Sequence, residues 1–171
     1  VRTPVPRPVD DPLVSGVKER WAERGLPGAP WPFMAMCSVA RLHHLFTKAL
    51  EAELKRLDLG RTGYFLLTML ALTAEGQALL STLSRLMLIH PTTVKLAVDQ
   101  LEAAGLVTRR PHPTDRRATL VFITEAGRER AAAANAALES PDGALGALAE
   151  HHREIFDALQ PARLAAGDAD L

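Results

Sequence analysis

Four arginines fall within nine residues of this chain: Arg109, Arg110, Arg116 and Arg117. Asp115 stands two positions before Arg117, in the turn-forming run Pro111-His112-Pro113-Thr114-Asp115. In a tight turn that carboxylate can fold onto the guanidinium. An exposed ion pair is worth only ~0–1 kcal/mol, so its purpose there is to aim the arginine rather than to stabilise the chain. An arginine so aimed gains from the enhanced negative potential of a narrow DNA minor groove. Upstream, Val94, Val98 and Leu101 recur at spacings of four and three. A helix that buries them presents Thr92, Thr93, Lys95, Leu96, Asp99 and Gln100 on the opposite face. Thr92 and Thr93 then sit at the helix N-terminus, where unpaired amides and the dipole favour a phosphate, and Lys95 adds a charge. The plainer alternative is that these threonines only cap the helix. A polar helix beside a basic hairpin suits a nucleic-acid duplex, whose major groove admits one helix.

The elements that must position these residues follow from punctuation and periodicity. Residues 1–12 hold four prolines without apolar periodicity and read as a disordered arm, with Asp11-Pro12 shaped as a cap and first helical position. A short helix is expected from about Leu13 to Arg24, stopped by Gly25, then a connector to Pro32. Pro32 opens a long helix that ends near Asp58-Leu59-Gly60. Its first turns, with Phe33, Met34, Met36, Cys37, Val39 and Ala40, are apolar nearly all round, and such a helix must be covered on every side. A second copy of the chain is the expected cover. Thr62 is placed to cap a third helix through Leu72, with Leu66, Met69 and Leu70 inward. A short helix over Ser81–Met87 (Leu83, Leu86 and Met87 inward) is followed by a tight turn at Leu88–Pro91. The next helix runs to about Ala104, where Gly105 is its left-handed stop. That pair is helix-turn-helix organisation.

The period then switches to two. Leu106–Arg109 and Thr119–Ile123 read as paired strands around the Pro111–Asp115 turn. Thr124 caps another helix, Ser140-Pro141-Asp142-Gly143 breaks it, and a last helix covers about Leu145–Leu159, with a fraying acidic tail after Pro161. The expected organisation is therefore a disordered arm (1–12), N-terminal dimerisation helices (13–60), a DNA-binding lobe (61–123), and C-terminal dimerisation helices with a tail (124–171). The fold class is mainly α with a small β-hairpin wing, a winged helix-turn-helix paired as a homodimer through N- and C-terminal helices.

Charge agrees with this division. The 171 residues carry 20 Lys plus Arg against 20 Asp plus Glu, but the surplus is uneven. Residues 1–80 hold 10 basic and 8 acidic groups, residues 81–130 hold 8 and 5, and residues 131–171 hold 2 and 7. The basic excess sits with the helix and hairpin. A single cysteine excludes an intrachain disulfide framework and a Cys-only zinc site. The longest charge-free runs, 16 residues from Gly25 to Ala40 and 13 from Thr62 to Ala74, fall short of the ~18 apolar residues of a membrane span. Val1-Arg2-Thr3-Pro4 lacks the apolar core of a secretory signal, so the expected compartment is the cytoplasm, with no membrane partner. No Gly-rich phosphate loop, G-x-S-x-G or H-E-x-x-H is present, which argues against an enzyme and against a cofactor.

The segment Leu83-Ser84-Arg85-Leu86, His90-Pro91-Thr92-Thr93-Val94, Val98-Asp99-Gln100-Leu101-Glu102-Ala103-Ala104-Gly105-Leu106-Val107, Arg109-Arg110-Pro111, Asp115-Arg116-Arg117 and Ile123-Thr124-Glu125-Ala126-Gly127 resembles the MarR family of winged helix-turn-helix transcriptional regulators. The match runs from about Ala35 to Gly127. The resemblance implies a triangular homodimer that binds a pseudo-palindromic operator in double-stranded DNA and represses transcription until a small molecule releases it. It implies DNA contacts from Arg85, His90, Thr92, Thr93, Lys95, Gln100, Arg109, Asp115, Arg116 and Arg117. Relatives usually carry Gly or a small residue where Leu88 stands, and many place Arg where Leu96 or Ala97 stands. A urate-responsive subgroup has an acidic residue where Leu66 stands, so urate is disfavoured.

The family's effectors bind between the dimerisation helices and the DNA-binding lobe, which implies Trp31, Met36, Arg41, His44, Tyr64 and Thr68 as ligand candidates. Arg41, His44 and an aromatic suit a small aromatic or anionic compound. Arg41 in a structural ion pair is the simpler reading. Three alternatives stay open. Cys37 could sense redox state, although it reads more simply as a small buried hydrophobe. His43-His44 and His151-His152 could sense a metal, but neighbours on a helix point about 100° apart, so each pair offers one good ligand and no intrachain metal site is expected. The winged helix could also bind another protein without binding DNA.

Overall fold

The computed structural model describes residues 11, 16–115 and 117–168. The arm expected over 1–12 (Asp11 apart), the opening of the first helix near residue 13, Arg116 and the end of the acidic tail lie outside the described residues. Two compact units divide the chain after Lys48, inside a single long helix.

In the N-terminal unit, helix α1 (Val17–Glu23) stops at Gly25, whose φ of 66° is the expected left-handed stop. The connector folds back so that the Trp21 indole N–H donates to the Gly28 carbonyl at 3.1 Å, and its ring lies 5.9 Å from Phe33. Helix α2 (Trp31–Lys55) begins one residue before the expected Pro32, which sits in the first turn where a missing N–H costs nothing. Trp31, Phe33, Met36, Val39 and Leu45 are exposed on the single chain, Met36 by 66%. Phe33, Met36 and Val39 belong to the set for which the sequence demanded a cover, while Met34 and Cys37 of that set are half-buried.

The second unit holds the core. Helix α3 (Arg61–Leu72) contributes Leu66, Leu67 and Leu70, all fully buried. Met69, expected inward, is only half-buried, and Leu67 takes its place. Thr62 is not the cap: Gly60 holds the extended N-cap conformation, so the helix starts two residues earlier than expected. Strand β1 (Gln77–Leu79), too short to show a period, was not foreseen. Helix α4 (Leu80–Leu86) buries Leu83 fully, while Leu86 and Met87 are half-buried. Helix α5 (Pro91–Ala103) buries Val94, Ala97, Val98 and Leu101, as the spacing requires. Gly105, at φ 73°, turns the chain into strand β2 (Val107–Pro111).

Strand β2 pairs antiparallel with β3 (Thr119–Ile123), Val107 opposite Ile123 and Pro111 opposite Thr119. β1 adds to the other edge of β3, giving the order β1-β3-β2. Helix α6 (Glu125–Glu139) follows and packs on α3. The last helix departs from expectation at both ends. Gly146–His151 forms a 3₁₀ turn, and helix α7 (His152–Ala165) runs on through Pro161. The segment after Pro161 therefore begins as helix rather than frayed tail. Arg163 holds its last turn, stacked 5.9 Å from the Phe156 ring and bonded to Asp168 at 2.5 Å.

Two joints fix where α5 and the hairpin sit. At the first, Leu88 closes the turn between α4 and α5 at φ 50°, while the Ser84 hydroxyl donates to the Ile89 carbonyl at 2.6 Å. A left-handed conformation costs an L-residue about 1–2 kcal/mol, and Leu88, 80% exposed, recovers little by packing. At the second, the Thr124 hydroxyl donates to the Gly105 carbonyl at 2.8 Å and accepts from the Gly127 amide at 3.1 Å. A Cβ on Gly127 would stand 2.1 Å from the Leu106 carbonyl oxygen, so only glycine lets α6 approach the end of α5. Leu88→Gly is expected to raise stability by about 1 kcal/mol, roughly 2–4 °C in Tm for a chain of this size. Gly127→Ala is expected to lower it by about 2 kcal/mol, since a backbone atom cannot yield. Thermal unfolding checks both signs, and reversal of either would mean that joint is misread.

Candidate nucleic-acid interface

Helix α5 is opened by Pro91 and capped by His90, whose Nδ1 accepts from the Thr92 amide at 3.2 Å. Since His90 caps the helix, Thr92 and Thr93 are not its N-cap. Both are exposed, as are Lys95, Leu96 and Gln100 on the same side and Arg85 in the last turn of α4. His90 is itself exposed at the mouth of the turn.

Arg109 joins the helix to the hairpin. Strand alternation places it on the same face of β2 as buried Val107, toward α5. Its Nη1 donates to Asp99 Oδ1 at 2.5 Å, and its Nε donates to Glu102 Oε2 at 2.9 Å. Nη2 also donates to Glu102 Oε2, and the Arg109 amide donates to Glu102 Oε1 at 3.0 Å. These hydrogen bonds from Arg109 hold the Glu102 carboxyl below the usual carboxylate range, and both carboxylates hold the guanidinium above its own. One positive charge is shared between two negative ones, so this arginine adds nothing to a basic face. Of the described basic side chains expected to meet DNA, Arg109 is one that the fold engages internally, as it does the His90 and Asp115 side chains. The signal lay in the spacing: Glu102 is on the last turn of α5, seven residues before Arg109, with Gly105 reversing the chain between them.

The hairpin tip is organised differently from expectation. In place of an Asp115–Arg117 ion pair, Asp115 Oδ1 accepts from the Arg117 backbone amide at 2.9 Å. A carboxylate that bonds the amide two residues on closes a compact local ring, which the longer side-chain contact does not match. The Asp115 carbonyl takes the Ala118 amide at 3.0 Å, and His112 Nδ1 accepts from the Thr114 amide at 3.3 Å. The tip backbone is thereby set by Asp115 and His112, and the Arg117 side chain is exposed. On the outer face of the sheet Arg110 lies 5.2 Å from the Phe122 ring centroid. Arg116 lies outside the described residues.

The expected ligand residues fall in two groups. Arg41 and His44 line an open hollow of about 320 Å³ on α2 with Ala40 and Leu45, and Trp31 and Met36 are exposed nearer the start of that helix. In the second unit, the Tyr64 hydroxyl donates to Asn135 Oδ1 at 2.8 Å, and Asn135 Nδ2 donates to Thr68 Oγ1 at 3.2 Å. Burial pushes the Tyr64 phenol up, against a smaller opposing pull from the Thr68 hydroxyl. Asn135, on α6, was not foreseen. A further open cleft of about 360 Å³ separates the Asp58–Gly63 turn from Thr93, Leu96 and Gln100 of α5. Cys37 is half-buried, and His151 pairs with Glu154 at 3.0 Å. Among the described residues no group of three His, Cys, Asp or Glu side chains is arranged to hold a metal, and no helix is long and apolar enough to cross a membrane.

Comparison with known proteins places this geometry. The family model that matches, over residues 62–119, is that of the MarR family. Sco5413, a MarR family transcriptional regulator from Streptomyces coelicolor, is 36% identical with a TM-score of 0.73, over 84% of this chain and 100% of that one. The HTH-type transcriptional repressor IacR of Pseudomonas putida is 33% identical over 89 residues, 52% of each chain. The chain thus spans about half the length of this curated relative. Sco3205, a MarR family transcriptional regulator from Streptomyces coelicolor solved in complex with DNA, has a TM-score of 0.66 over 81% of this chain and 87% of that one. At 21% identity its likeness is one of fold.

The clamp makes a prediction of its own. Arg109→Met keeps an aliphatic stem and the backbone bond to Glu102 but removes every guanidinium bond, so amide exchange across 107–123 should quicken about tenfold while α3 and α6 are unchanged. In the parent chain the protection should be complete above the ordinary glutamate pKa of about 4.3 and be lost as pH falls below it, because the folded-state value is the lowered one. Hydrogen exchange followed by mass spectrometry reads both, and equal exchange in the two proteins would dissolve the clamp.

Proposed function

The chain belongs to the MarR family of transcriptional regulators, and from that premise we propose that it is a repressor whose homodimer binds an inverted-repeat operator in duplex DNA. The observation that carries this reading is the tie between α5 and the basic hairpin, which leaves Thr92, Thr93, Lys95 and Gln100 exposed on one element and Arg117 on the other. In this reading α5 enters the major groove and the hairpin tip lies along the flanking backbone or minor groove. Arg85 and His90 meet phosphates beside the turn, and Arg116 is counted among the contacts for its charge and its place in the sequence. Asp115 and Arg109 serve as positioning residues, one for the tip backbone and the other for the angle between strand and helix.

The homodimer supplies the cover for Trp31, Phe33, Met36 and Val39, whose exposure on one chain makes an apolar surface that a soluble protein seldom leaves bare. Two half-sites about 34–36 Å apart let both copies of α5 enter successive grooves. A small aromatic or anionic effector that binds the dimer would release the operator by preferring a lobe spacing that does not match it. The hollow that Arg41 and His44 line supports an anionic group there. Tyr64 and Thr68 are already joined to Asn135. An effector reaching them exchanges those bonds for its own.

The test is binding to a duplex selected from a randomised pool, titrated with salt. Each phosphate contact contributes about 0.9 to the slope of log K against log salt. Arg117→Ala is expected to weaken binding about tenfold for every duplex, and Lys95→Ala to weaken it while lowering the salt slope by about one. If Arg117→Ala binds as tightly as the parent, the hairpin does not touch DNA and this reading of it fails.

A further inference from the structure

The most outward part of α5 is not charged. At about 100° per residue, the direction opposite Val94, Ala97, Val98 and Leu101 passes between Thr92, Leu96, Asp99 and Ala103. Asp99 is committed to Arg109. Leu96 is therefore the largest side chain at the crest of the helix, and it is 58% exposed. Its neighbours Thr92, Thr93, Lys95 and Gln100 are polar and exposed, so the exposed apolar area at the crest is that of Leu96 and the small Ala103. That is far too small for a protein partner, whose interfaces bury several hundred Å² a side. It is the right size for a single methyl group.

The DNA major groove displays such a group on one base only, the C5-methyl of thymine. The exposed face of α5 also lacks an arginine, the side chain best fitted to the acceptor pair of guanine, whereas Gln100 has the donor and acceptor that adenine requires. The geometry points to Leu96 as a specificity-determining residue that selects thymine near the centre of each half-site by burying its methyl group. This rests on the DNA-binding reading above and adds what that reading leaves open, the base that the crest of the helix selects. Cytosine at that position offers no methyl and places an amino group against the leucine. Uracil differs from thymine by the methyl alone.

The experiment uses the intact chain and a duplex that it selects from a randomised pool, with each thymine of the half-site replaced in turn by deoxyuridine. Burial of one methyl group corresponds to about a three- to fivefold change in affinity, so one position should show that loss with the parent protein. In Leu96→Ala the same replacement should cost nothing, although binding to the thymine duplex is weaker, and in Leu96→Met the loss should return. Equal low-salt binding to unselected DNA and an unchanged Tm show that both variants are folded. A parent protein indifferent to every deoxyuridine replacement, or a methyl effect that survives in Leu96→Ala, overturns the assignment while leaving DNA binding intact. Failure to select any duplex overturns the DNA-binding reading, and this inference with it.

Discussion

The bond network of Arg109 with Asp99 and Glu102 is the contact on which the placement of the hairpin against α5 depends. A two-stranded hairpin has little of its own to hold it at a fixed angle. Here its first strand is tied to the last turns of α5 by one guanidinium and two carboxylates, with the Arg109 amide adding a further bond. Because the carboxylates accept from several donors in a fixed fork, the geometry is set as well as the attachment. Exposed ion pairs contribute little to global stability, so the importance of this one lies in direction.

The ends of this assembly are held by backbone chemistry rather than charge. Gly105 lets the chain reverse directly after α5, and Thr124 returns to the Gly105 carbonyl before capping α6 through the Gly127 amide. Three elements thus meet at one point, and the missing Cβ of Gly127 is what permits the approach. The opposite edge of β3 is covered by β1, which leaves less of the hairpin's inner edge unpaired. At the front of α5 the same economy of space is met with strain: Leu88 adopts a left-handed conformation in which a glycine would be unstrained.

The N-terminal unit follows different physics. α1 folds back on the first turns of α2 through Trp21 on Phe33 and Lys18 over Trp31, both contacts between residues close in sequence. Beyond them α2 presents Met36, Val39 and Leu45 to solvent, a surface that one copy of the chain does not cover. The second unit, by contrast, completes its own core with leucines of α3 and α4 and valines of α5 and the sheet.

Periodicity alone carried α5, both hairpin strands and the inward set Val94, Val98 and Leu101, since a helix of that spacing has only one apolar side to bury. The stop signals Gly25 and Gly105 and the cap Thr124 were equally legible, because each depends on a backbone conformation or bond that its own residue type supplies. The resemblance quoted from Leu83 to Gly127 was carried by local motifs and agrees with the family to which the chain belongs. What the linear order did not determine were partners distant along the chain. Tyr64 meets Asn135, and β1 finds the edge of β3. Arg109 has its partners close in sequence, yet it turns inward to Asp99 and Glu102 instead of outward with its neighbours. Charge and spacing single out the candidate residues. Only packing decides which of them face outward, because a guanidinium beside two carboxylates in the folded chain is already satisfied.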